Sequence, residues 1–168
     1  QAALAMVVAY LLEKKPYMAN SSIVDHRKRI SKQLDVAYAT FLSALARFQV
    51  QKRTGNPNSS ALMRAILAFE RQKSDWGSAR KMHATILVAE AKIELGFHEE
   101  AIESLFSIVE KMRPCSLRVR IAQTIGESIS QLDNNSRMAA FYERMMKAKL
   151  FHSADIYKNL RMATVQFE

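Results

Sequence analysis

The sequence predicts an all-α fold of antiparallel helical hairpins stacked one on another, with about 7–8 helices. Three observations carry this reading. Breakers are scarce, with 4 glycines and 3 prolines in 168 residues, and helix interiors tolerate neither well. Nearly half the residues, 49%, are hydrophobic, so the chain can bury a core rather than stay disordered. A pattern of small and apolar residues returns after 37 positions, carrying Ala89 onto Gly126 and Ala163, Leu95 onto Leu132, Ala101 onto Met138 and Leu105 onto Tyr142. A period of this length is how helix pairs that cannot bury their faces alone show themselves in a sequence.

Taken in order, residues 2–12 read as a short apolar helix with no polar stripe, to be buried against its own domain or an absent one. Lys14, Lys15 and Pro16 end it. Residues 17–22 read as a loop, with Ser21 or Ser22 as N-cap and Asp25 in the first turn of the next helix. That helix is expected to run unbroken to about Arg53, on a stripe of Ile30, Leu34, Ala37, Phe41, Leu45 and Phe48. Tyr38 and Leu42 widen the stripe beyond a coiled-coil seam, which stays the competing reading. Residues 54–58, Thr-Gly-Asn-Pro-Asn, break the chain. Ser59 or Ser60 then caps a helix over 61–73, with Leu62, Ile66, Leu67 and Phe69 inward. Trp76-Gly77 leads into a helix ending at Leu95, and further helices follow at about 98–112, 116–132, 135–149 and 153–167. Connections this short force neighbours antiparallel.

The net charge is +9, and the excess lies in the first half. Residues 1–81 hold 14 Lys and Arg against 5 Asp and Glu, and residues 82–168 hold 11 against 11. The sequence therefore divides into a basic helical segment, 1–81, acting as a cap or as divergent repeats, and a repeat segment, 82–168. The apolar opening is too short for a membrane span, and its positive charge follows the apolar run where a signal peptide has it first. A lone Cys115 excludes an intrachain disulfide and favours a reducing compartment, cytoplasmic or nuclear. Asn-x-Ser triplets at Asn20, Asn58 and Asn134 read as coincidental. A start at Gln1 and an end inside a third motif copy suggest a piece of a longer chain.

Residues 82–118, 119–155 and a partial 156–168 resemble tetratricopeptide repeats, helix-turn-helix units of about 34 residues. Val88-Ala89 and then Ile125-Gly126 stand where that family has Leu-Gly. Ala101, Leu105 and Pro114 follow at or next to the family spacing, as do Met138 and Tyr142, and Met162-Ala163 opens the third copy. The family's early aromatic is Thr85 and then Ala122, and its Tyr after the Gly is Lys92 and then Ile129. The resemblance implies an α-solenoid in which the first helix of each hairpin lines a concave groove. Its partner-binding positions would be His83, Ile86, Glu90 and Glu94, then Arg120, Gln123, Glu127 and Gln131, then Tyr157. An ordinary solvated helix face is the competing reading.

No catalytic or metal constellation stands out. His98-Glu99-Glu100 lacks a second imidazole at zinc-binding spacing and reads as the acidic first turn of a helix. His26, His83 and His152 lack companions, and there is no phosphate-cradling glycine loop. The expectation is a non-enzymatic scaffold or adaptor, without metal or cofactor, binding a peptide or helix of another protein. A second surface gathers His26, Arg27, Lys28, Arg29, Lys32, Lys52, Arg53, Arg71, Lys73, Arg80 and Lys81. It keeps open a nucleic-acid-associated or regulatory role, though Trp76 alone is thin for base stacking. Homodimerisation through residues 2–12 or the long helix is the third reading.

Overall fold

A computed structural model describes residues 2–26, 33–71 and 78–150. Among these residues there are eight helices and no strand: α1 (Ala2–Leu12), α2 (Pro16–His26), α3 (Gln33–Thr54), α4 (Ser59–Glu70), α5 (Ser78–Glu94), α6 (His98–Val109), α7 (Ser116–Ile129) and α8 (Asn135–Lys147). The chain forms two compact units, residues 1–91 and 92–168. They divide within α5, whereas the charge asymmetry divides the sequence between 81 and 82. The helix expected over 153–167 lies outside the described residues.

In the first unit α1 buries Leu4, Val7, Val8 and Leu11, one stripe at helical spacing, by packing on α2 and α3. The apolar opening is thus covered by its own chain. The expected loop over 17–22 is instead the body of α2, and the expected single helix over 22–53 is two helices. Two local choices explain where α2 starts; α2 and α3 pack on each other, and residues 27–32 between them lie outside the described residues. Lys14 takes a left-handed φ of 58° and turns the chain, while the Lys15 amide donates to the Tyr10 carbonyl (2.8 Å) and closes α1. Pro16 then opens α2 at its first position, where a fixed φ helps and the missing N–H costs nothing. Pro16, a stop on the sequence alone, is a start in the fold.

Helix α3 buries Tyr38, Phe41, Leu42, Leu45 and Phe48, the wide stripe the sequence implied. The rings of Phe41 and Tyr38 stack on Phe69 of α4 at centroid distances of 5.3 and 5.2 Å, so three aromatics hold this pair of helices. In α4 the inward residues are Leu62, Ala65, Ile66 and Phe69; Leu67 points outward, about a quarter turn round the helix from Ile66. Its N-cap is Asn58, one residue before the serines expected there, whose side chain accepts from the Ala61 amide at 2.9 Å.

In the second unit α6 buries Ala101, Ile102, Leu105, Phe106 and Val109 against α7, and α7 packs on α8. Asn134 caps α8 by accepting from the Arg137 amide at 3.0 Å. Helices α6, α7 and α8 end two or three residues short of their expected limits, because the last turns are used to reverse the chain. One side chain manages two of those ends. Arg118, in the first turn of α7, donates to the Val109 carbonyl (3.3 Å) and the Ala148 carbonyl (2.9 Å). A guanidinium there satisfies carbonyls that α6 and α8 cannot, and meets the negative end of both helix dipoles.

Gly96 closes α5 at φ 86°, with the Phe97 amide donating back to the Lys92 carbonyl at 2.9 Å. A Cβ on Gly96 would touch nothing within 4 Å, so Gly96→Ala isolates backbone strain and is expected to cost about 1 kcal/mol. Lys149 has the same left-handed backbone without being glycine (φ 52°); Lys149→Gly is expected to gain about 0.5–1 kcal/mol. Arg118→Ala should cost about 1–3 kcal/mol, by loss of two charge-assisted bonds. Urea midpoints of the three variants check the signs; a stabilised Arg118→Ala would remove the capping account.

Candidate interaction surfaces

The outward face of α7 is built by helical spacing. Its inward stripe, Ile121, Ala122, Ile125, Ser128 and Ile129, turns Val119, Gln123 and Glu127 to solvent on successive turns. Ser128 is polar and buried, and its hydroxyl is satisfied by donating to the Thr124 carbonyl at 2.8 Å. Of the expected groove positions, Gln123, Glu127 and Gln131 are exposed, and Arg120 and Glu94 are half-buried. Val119, which the sequence reading passed over, is an exposed apolar residue in the same row. Tyr157 lies outside the described residues.

The positions expected on α5 behave differently. His83 is half-buried and Ile86 is buried. Glu90 is only 6% exposed and accepts from the Lys14 ammonium at 3.1 Å. A carboxylate this far from water needs such a partner. Lys14 comes from the left-handed turn between α1 and α2, so the pair ties that turn to α5 within the first unit. Glu90 is a structural residue, and no spacing rule could have paired positions 76 apart in sequence.

A cluster the sequence reading did not find lies between α6 and α8. Arg144 donates from Nε and Nη2 to both carboxylate oxygens of Glu110 (2.7 and 3.1 Å) and from Nη1 to Glu103 (2.6 Å). Its guanidinium lies 4.3 Å from the centroid of the Phe106 ring, and Phe106 stacks on Phe141 at 6.1 Å. The hydrogen bonds from Arg144 hold the Glu110 carboxyl below its ordinary value of 4.5, and Glu110, ahead of Glu103, holds the Arg144 guanidinium above its own. Beside this clamp an open depression of about 410 Å³ is lined by Lys92, Glu99, Glu100, Glu103, Arg137 and Phe141. Its charges are engaged: Lys92 with Glu100 at 3.0 Å, and Arg137 with Glu99 at 3.8 Å. Such compensated pairs steady a surface without demanding a ligand.

Of the expected basic surface, Lys52, Arg53, Arg71 and Lys81 are exposed. Arg27, Lys28, Arg29, Lys32 and Lys73 lie outside the described residues, as do the side chains of Arg80 and His26. Glu99 and Glu100 stand in the first turn of α6, where carboxylates meet the positive end of the helix dipole. Among the described residues no three His, Cys, Asp or Glu side chains group as a metal ion would need, and no helix is long and apolar enough to cross a membrane. Cys115 is exposed at the N-cap of α7.

Two substitutions probe these assignments. Glu90→Ala should cost about 1–2 kcal/mol, because it leaves a cavity at a buried position and releases the turn that Lys14 anchors; no loss on thermal or urea unfolding would return Glu90 to the surface. Glu110 has a lowered carboxyl value in the fold, so its contribution is full above the ordinary 4.5 and is lost as pH falls through the lowered value. The stability gap between the parent and Glu110→Gln should therefore stay level from neutrality down to that range and close below it, as read from urea midpoints across an acid pH series.

No protein-family model, curated protein or solved structure matches the chain.

Proposed function

We propose that this chain is a non-enzymatic scaffold, a tetratricopeptide-like helical array that holds a peptide or helix of another protein on the outward face of its hairpin helices. The observation that carries the reading is a recurrence among the second helices of successive pairs. The fourth and eighth residues turn inward in α2 (Ala19, Ile23), α4 (Leu62, Ile66) and α6 (Ala101, Leu105), all buried. Met138 and Tyr142 of α8 repeat this, half-buried and buried. The connections after α1, α3 and α5 each contain one left-handed residue, at Lys14, Gly55 and Gly96. Repetition of one local solution is how solenoids are assembled, with each unit supplying one helix face to a shared surface.

In this reading Gln123, Glu127 and Val119 contribute a mixed polar and apolar row suited to an amphipathic ligand. Rigid hairpins would hold that row in place before a partner arrives, so little ordering entropy is left to lose on binding. The protein would work inside the cell, in cytoplasm or nucleus. A second reading, nucleic-acid association through the basic first half, is favoured by the exposed Lys52, Arg53, Arg71 and Lys81. For self-association, α1 has its apolar stripe already covered by α2 and α3.

The test is affinity capture at low and high salt, with and without nuclease, beside a Gln123→Lys/Glu127→Lys variant. Both residues are exposed, so the variant leaves the core intact, which circular dichroism verifies. The expected result is a protein partner that survives salt and nuclease and is lost in the variant. Recovery of nucleic acid, or of partners that vanish with nuclease, sinks the groove reading and promotes the basic surface, whose phosphate contacts must weaken steeply with salt.

A further inference from the structure

Helix α2 turns three large apolar side chains to water. Pro16, Ala19, Ser22 and Ile23 face inward, and Tyr17, Met18, Ser21 and Val24 form an outward stripe that ends at the exposed Asp25. Tyr17 is 54% exposed, Met18 53% and Val24 61%. On the inward side, meanwhile, Asn20 Oδ1 and Ser22 Oγ are buried with no hydrogen-bond partner. A solvated helix gains by the opposite arrangement, with polar groups out and apolar groups in. Tyrosine and methionine are also residue types that concentrate at contact surfaces, one rigid and amphipathic, the other adaptable.

The rim of this stripe is basic. Arg53, at the end of α3, is exposed and sits with its guanidinium 5.7 Å from the centroid of the Tyr17 ring. Among the described residues it meets that ring and no carboxylate. Lys52 precedes it in the same helix turn. Of the acids flanking the stripe in sequence, Glu13 is held by Lys15 at 2.7 Å, and Asp25 lies beside Val24, about two turns along the helix from Tyr17 and its Arg53. The unit to which the stripe belongs, residues 1–91, holds 14 Lys and Arg against 6 Asp and Glu. A guanidinium laid on an aromatic face is already oriented, and its N–H edge stays free for a carboxylate.

We infer that the outward face of α2, with Arg53 at its rim, docks an acidic amphipathic helix of a partner protein. One apolar side chain of that helix covers Tyr17 and Met18, a second reaches Val24 two turns along, and an Asp or Glu beside the first engages Arg53. Spacing of anchors at one and two turns is how a helix reads such a face. A nucleic acid would also meet Arg53, but Met18 and Val24 give a phosphate backbone nothing to bind. This inference rests on the scaffold reading and assigns it a second face with a defined ligand chemistry.

The experiment pans a random peptide display library against the full chain. Enriched peptides are remade with a fluorophore and titrated into the parent, Arg53→Glu, Arg53→Gln, a Tyr17→Ser/Met18→Ser variant and Gln123→Lys/Glu127→Lys. All substituted residues are exposed, and circular dichroism confirms each fold. Enriched sequences should place Asp or Glu within one helical turn of Leu, Ile, Phe or Trp. Arg53→Glu and Tyr17→Ser/Met18→Ser should each weaken binding by about tenfold or more, Arg53→Gln by less, and salt should weaken the parent complex. Peptides without that pairing, affinities indifferent to Arg53 and Tyr17, or no enrichment would overturn the inference. So would a labelled single-stranded oligonucleotide that displaces the peptides in an Arg53-dependent way. Peptides lost only in Gln123→Lys/Glu127→Lys would overturn this face while leaving the scaffold reading standing.

Discussion

Where one helix ends within a few residues of the next one's start, the carbonyls left over at its C-terminus must still find donors. That requirement organises the rest. At Gly96 and Gly55 the left-handed conformation comes without steric penalty; at Lys14 and Lys149 it is held by non-glycine residues. The closing amides of Lys15, Phe97 and Leu150 return to carbonyls five residues back, and Arg118 supplies the ends of α6 and α8. With the ends satisfied, the apolar stripes of neighbouring helices can face one another. The Tyr38, Phe41 and Phe69 stack and the Phe106 and Phe141 pair fill the space so created.

Charge is used differently in the two units. In the second, Arg118 caps helix ends, Arg144 joins α8 to Glu103 of α6 and to Glu110 just past its end, and Lys92 and Arg137 meet Glu100 and Glu99. These four cations are engaged by the fold itself. In the first, one pair is clearly structural, Lys14 with the buried Glu90, while Arg53, Arg71 and Lys81 point to solvent. The same residue types thus serve the fold at some described positions and stay exposed at others. Net charge alone does not distinguish these uses, because a guanidinium's role depends on which carbonyl or carboxylate the fold brings to it.

Some of this architecture was legible before any coordinates. Helical class followed from scarce breakers and regular stripes, since period alone separates a helix from a strand. Phe41, Leu45, Phe48, Leu62, Ile66, Phe69 and Leu105 lie inside as their spacing required. The breaks at Gly55 and Gly96 fall where glycine is needed for a positive φ. The hairpin recurrence was legible only in part: the 37-residue shift relates the second half to itself, and the helix starts at 16, 59 and 98 follow a longer spacing.

What the tertiary structure decided were matters of pairing and of context. Pro16 reads equally as a stop or as a first residue, and the left-handed Lys14 before it settles the choice. Glu90 sits where a surface residue was expected, and a lysine from a distant turn makes its burial tolerable. Arg118 and Arg144 are ordinary charges in the sequence, and they become a cap and a clamp once two helix ends and two carboxylates converge on them. Local composition determined that this chain is helical and which face of most helices turns inward, because burial follows a period. Which charges are structural and which remain for a partner depended on contacts between positions far apart in the chain, and those exist only in the folded state.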